Sequence, residues 1–138
     1  MNNTICQEGA VPKSILVVSV SQHLHGVPID NSIREDWAKD KANGVGHHFA
    51  NVGFDLDPNN IPETLAALRH ALQQRLWNGI IIGWCLRGTS KFTVLFEQVV
   101  MVCLEGRQPD SQTKIMFSTG KDNLVETVVR NFQVGGGL

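Results

Sequence analysis

An α/β domain on a four-stranded, all-parallel, doubly wound sheet is what this sequence predicts, and three observations predict it. Residues 14–20 (SILVVSV) are a short, β-branched, nearly continuous apolar run, as expected of a strand buried on both faces. Residues 79–84 (GIIIGW) hold a second such run. Around them, apolar residues recur at helical spacing, so strand and helix alternate along the chain.

The elements follow in order. After the first strand, residues 21–45 are long and polar, and Asn31-Ser32 is expected to cap a helix over residues 33–42. Ile33 and Trp37 stand one turn apart on its inner face. Residues 48–55 (HFANVGFD) read as a weaker second strand. Asn60-Ile61-Pro62-Glu63 is a helix start, with Asn60 as cap, Pro62 in the first turn and Glu63 three residues on. Ile61, Leu65, Leu68, Leu72 and Leu76 then mark one apolar face, and Asn78-Gly79 ends the helix before the third strand, residues 79–84. A polar loop, residues 85–91, precedes a helix whose inner face holds Phe92, Leu95, Phe96, Val99 and Cys103. Residues 106–112 turn about Pro109, residues 114–118 (KIMFS) are the fourth strand, and a last helix from Asp122 turns Leu124, Val125, Val128 and Phe132 inward.

Strands joined by helices of this length favour right-handed parallel crossovers. A sheet order of 2-1-3-4, that of flavodoxin-like folds, gives one switch point between the first and third strands. Ligands in such sheets bind at the carboxyl ends of the strands beside that point. The functional loops are therefore expected at residues 19–26 and 83–91.

Composition narrows the partners. A chain of 138 residues suits one domain, placed at residues 14–133, with flexible segments at 1–13 and 134–138. With 42% hydrophobic and 18% charged residues it has ordinary globular composition. The net charge of −1 supplies no broad basic field, which argues against nucleic acid or an anionic membrane as main partner. The apolar runs are too short to span a bilayer. Residues 1–13 lack the basic start and apolar middle of a signal peptide, so a cytoplasmic location is expected. Cys6, Cys85 and Cys103 are odd in number and lack metal-ligand spacing, which fits reduced thiols.

The first loop offers Ser21, His23 and His25, and the second offers Cys85, Arg87, Gly88, Thr89, Ser90 and Lys91. Free N–H groups at a helix start attract anions, Arg87 could fork onto a carboxylate or phosphate, and Gly88 would admit a ligand close to the backbone. The bland alternative has Ser90 capping the helix while Arg87 and Lys91 are solvated. His23 or His25, with Lys91, are the candidates for proton transfer, since imidazole titrates near neutrality. A four-histidine metal site with His47 and His48 is disfavoured, because that pair begins the second strand at the opposite end of the sheet. His70 reads as a surface residue. Cys85 could be an exposed nucleophile, yet no base can be placed beside it, and a small buried hydrophobe is the simpler reading. Asp55 and Asp57 either reach the pocket edge or begin the turn after the second strand. No G-x-G-x-x-G, P-loop or G-x-S-x-G signature is present, receiver and flavodoxin phosphate signatures are missing, and no cofactor is implied.

Residues 77–92 (WNGIIIGWCLRGTSKF) resemble a segment of lumazine synthases, matching at Gly83, Leu86, Arg87, Gly88 and Phe92. Residues 114–118 followed by Asp122-Asn123-Leu124 resemble that family's later strand and helix start. The likeness spans roughly the C-terminal 40% of the chain by motif. It implies a four-stranded sheet, a phosphate pocket at residues 88–90 and an assembly of copies. Lys91 stands where the family has its histidine, the loop is one residue shorter, and the segment binding the family's pyrimidine substrate has no counterpart.

These readings converge on a flavodoxin-like protein that binds an anionic metabolite between the first- and third-strand loops. Its rivals are a lumazine-synthase-like condensing enzyme in a homo-oligomer and a non-catalytic interaction module using Trp77 or Trp84.

Overall fold

A computed structural model describes residues 11–107 and 112–132 of the chain. Four strands, β1 (Lys13–Ser19), β2 (Phe49–Asp55), β3 (Gly79–Ile82) and β4 (Lys114–Phe117), form one sheet. Their order is β2-β1-β3-β4 and every pairing is parallel, which is the predicted flavodoxin-like arrangement. The register sets Lys13 opposite Phe49 and Ile15 opposite Gly79. The helices are α1 (Ser21–His25), α2 (Ile29–Trp37), α3 (Ile61–Gln73), α4 (Trp84–Arg87), α5 (Thr93–Glu105) and α6 (Leu124–Asn131). Among the described residues no helix is long and apolar enough to cross a membrane.

Alternation along the strands divides the core in two. Leu16, Val18, Ile80 and Ile82 face α3 and α5, where Leu65, Leu68, Leu72, Leu95, Val99, Val102 and Cys103 pack on them. Ile15, Val17, Ile81 and Met116 face the other way, onto Ile29 and Ile33 of α2 and Leu124 and Val128 of α6. The second layer is smaller, and polar links reinforce it. Asp36, buried near the end of α2, receives Lys41 Nζ at 2.8 Å and Lys39 Nζ at 3.2 Å on Oδ1. Its Oδ2 accepts from the Val125 N–H at 2.9 Å. Asp36 thus caps α6 from another helix, while Asn123 at the N-cap makes no side-chain cap bond. Lys41 continues to Glu126 (2.8 Å) and to the Asp122 carbonyl (2.7 Å).

Several boundaries differ from expectation. The third strand ends at Ile82, not at residue 84, and Trp84 opens a helical turn. The two loops expected at the switch point are wound into α1, α4 and a 3-10 turn, Ser90–Phe92. α2 starts ahead of Asn31-Ser32, after Pro28, because Asp55 Oδ1 of β2 accepts from the Ile29 N–H at 2.9 Å. It stops at Trp37, and a separate 3-10 turn, Asp40–Ala42, follows. Next to it, Asp30 Oδ1 accepts from the Gly53 N–H on β2 at 3.0 Å.

Asn60 makes no cap bond. Its amide donates to Asp57 Oδ2 at 2.8 Å, and the Asp57 N–H goes to Thr64 Oγ1 at 3.0 Å. Leu76 lies past the end of α3 and is exposed, whereas Trp77 is buried and donates its Nε1–H to the Ala71 carbonyl at 3.0 Å. The expected flexible segments and the turn at Pro109 fall largely outside the described residues; within the first of them, Lys13 already belongs to β1.

Candidate functional site

Three strand ends meet at the carboxyl edge of the sheet. After β1, the Ser21 N–H donates to Ser19 Oγ at 3.0 Å, which starts α1 directly against the strand. Ser21 Oγ donates to the Val27 carbonyl at 3.1 Å. The return is made by Gly26 at φ +70°, a left-handed conformation that favours glycine. After β3, the Gly83 N–H donates to the Val18 carbonyl at 2.9 Å, and Gly83 then turns the chain into α4. After β4, Ser118 is buried and the Thr119 N–H donates to Asn123 Oδ1 at 3.1 Å, closing the loop ahead of α6.

These ends enclose a small cavity of about 30 Å³. Its surface is almost wholly apolar, with Val17, Ile29 and Leu124 in the lining, and Ser19, Ser21, Cys85, Ser118 and Lys121 also border it. That volume holds one or two water-sized groups, so only the head of a ligand fits within it. Lys121 is exposed and forms no ion pair among the described residues, and Trp84, 46% exposed, makes the rim. Of the residues expected from sequence to bind a ligand or transfer a proton, Ser21 and Cys85 lie here.

The others are placed differently. Arg87 does not stand free: Nη2 donates to the Ser118 carbonyl at 3.1 Å. Its guanidinium carbon lies 4.9 Å from the Trp84 ring centre and 5.5 Å from that of Phe117. It therefore braces the loop after β3 against the loop after β4. At Gly88 the close neighbour is Trp84, since a Cβ built there would sit 2.5 Å from the indole. Thr89 and Ser90 begin the turn into α5, where the Ser90 carbonyl accepts from Thr93 Oγ1 at 2.8 Å.

His23 and Lys91 gather at Phe92, away from the cavity lining. The imidazole meets that ring edge-on at 6.1 Å between centres, and Lys91 Nζ lies 5.2 Å from its centre. His25 is exposed at the end of α1. The structure thus divides one expected site between two places, because Ser21 and His23 leave the short helix α1 in different directions. Asp57 belongs to the His23 side. Hydrogen bonds from the Asn60 amide and the Asn59 N–H hold its carboxyl below the ordinary value, and the charge of His23 adds to them.

Cys103 is inert by position, since burial pushes its thiol up to about 12. Cys6 lies outside the described residues. No three His, Cys, Asp or Glu side chains among the described residues come together as a metal-ligating group. Sequence reasoning overlooked Ser118 and Lys121. Their signal was the run Ser118-Thr119-Gly120-Lys121 directly after a strand, a small polar turn of the kind sought only after the first and third strands. Comparisons with protein-family models, curated proteins and solved structures found no match to this chain.

Proposed function

We propose that the chain binds a small anionic metabolite, phosphate- or carboxylate-bearing, at the carboxyl ends of β1, β3 and β4. The observation that supports this is the position of the cavity: it lies at the carboxyl ends of the strands, with Ser19 and Ser118 in its wall and Lys121, which forms no ion pair among the described residues, at its edge. The Ser19 and Ser118 hydroxyls with one cation suit an anionic head group, and a switch-point location suits a ligand. The head group would occupy the cavity while the rest of the ligand lies outward across Trp84. Arg87 contributes by holding the Ser118 wall in place.

A thermal-melt panel of phosphates, carboxylates and nucleotides tests the reading. A ligand at about 100 times its Kd adds about 2.7 kcal/mol to stability. At roughly 2–8 °C per kcal/mol, that raises the midpoint by several degrees. The shift is expected to shrink in Lys121→Ala and to weaken in Arg87→Ala. Absence of any shift across the panel, or a shift that both variants retain in full, removes the reading.

A further inference from the structure

A row of side chains runs from the turn ahead of α5 along its outer surface, the last three beside a groove shared with Leu65 and Arg69 of α3. Lys91, Val94, Gln98, Met101 and Glu105 follow one another at intervals of three, four, three and four residues, the spacing of a coiled-coil seam. Val94 is 64% exposed and Met101 53%. Lys91 and Glu105 are exposed, and neither has an ion-pair partner among the described residues. Gln98, at the centre, has its side-chain Oε1 shielded from solvent with no donor. Gln98 is the polar member between the two exposed apolar residues of the row.

The charges are also reversed for the helix that bears them. Lys91 stands just ahead of the N-terminus and Glu105 closes the C-terminus, with no acidic residue in the first turn and no basic one in the last. The helix dipole favours the opposite signs at both ends. Arg107 follows beyond Gly106 and is not part of the row. A second copy of α5, laid antiparallel, corrects both ends at once. It brings its Glu105 to the first helix's N-terminus and its Lys91 to the C-terminus.

We infer that the chain self-associates as a two-fold dimer in which α5 packs antiparallel on α5 of a second copy, about an axis through Gln98. Lys91 and Glu105 lie seven positions to either side of that residue, with Val94 four before it and Met101 three after. Lys91 of each copy faces Glu105 of the other, and Val94 comes beside Met101. At the axis the two Gln98 side chains meet. A polar residue at such a position fixes register and orientation, as in coiled coils. Leu104, 39% exposed, flanks the seam and adds to the apolar area. One helix per copy makes an interface at the small end, below roughly 1,200 Å² in total, so the dimer is weak and exchanges rapidly.

Sedimentation velocity over a concentration series reaching about 1 mM, where interfaces of this size associate, tests the inference. The wild type is expected to shift from monomer to dimer across the series. Met101→Glu, at an exposed position that leaves the core untouched, is expected to stay monomeric with an unchanged circular-dichroism spectrum. Lys91→Glu weakens the dimer at least several-fold, and adding Glu105→Lys to it restores association. A wild type that remains monomeric throughout overturns the inference. So does a dimer indifferent to Met101→Glu, or a charge swap that restores nothing.

Discussion

The two faces of the sheet are held by different means. On one, α3 and α5 cover the strands with a continuous apolar layer running from Leu65 to Cys103. On the other, α2 and α6 bring a smaller apolar set and add a buried carboxylate, Asp36, gripped by two lysines and a backbone N–H. Where apolar area is ample, shape alone positions the helices. Where it is scarce, a charged link fixes which residue of α2 meets the start of α6. Desolvation of such a link offsets much of its attraction, so its main effect is on geometry, and its loss leaves a costly orphan.

Core truncation should show the difference most strongly. Leu68→Ala on the larger face is expected to cost about 3–5 kcal/mol, and Ile33→Ala on the smaller face about 2–3 kcal/mol, by the usual range for buried aliphatic truncations. Urea melts of the two variants measure this, and equal losses would erase the distinction. Asp36→Ala comes next, at about 2–3 kcal/mol, since it leaves the Val125 N–H and the Lys41 ammonium without their shared acceptor.

That carboxylate also confers acid sensitivity. Burial pushes its pKa up, yet hydrogen bonds from Lys41, the Val125 N–H and Lys39 together hold it below the ordinary value of 3.8. A depressed folded-state pKa means that the contribution is complete above 3.8 and drains away as pH falls through the folded value. Asp36→Ala should therefore flatten the acid limb of a stability-versus-pH curve. An unchanged acid limb would place the acid sensitivity elsewhere. The smallest effect belongs to Lys39→Ala, below about 1 kcal/mol, because this lysine is half exposed and Lys41 remains on the same oxygen.

The sheet was legible because its information is local. A run such as SILVVSV can hardly be anything but a buried strand, and helical periodicity between such runs leaves few topologies. What escaped depends on partners far along the chain. The start of α2 is set by Asp55, which follows it by 26 residues, and no local pattern announces that bond. Arg87 has every local attribute of an anion ligand. Its engagement follows from where the Ser118 carbonyl arrives, 31 residues later. Leu76 continues the spacing of α3 although the helix ends at Gln73, since periodicity in sequence does not mark where a helix stops. The separation of Ser21 from His23 is of another kind. Residues read as a loop share one mouth, whereas residues wound into a helical turn diverge.

The bond from Asp30 to Gly53 bears on what the protein avoids. β2 is an outer strand, and an outer strand offers a row of unpaired backbone groups to any other chain. Asp30 occupies the Gly53 N–H with a carboxylate, and a Cβ at Gly53 would stand 2.6 Å from that oxygen. A foreign strand approaching this edge meets a negative charge already bonded to the donor it needs. The glycine that lets α2 come so near thus also removes one donor from the open edge of the sheet.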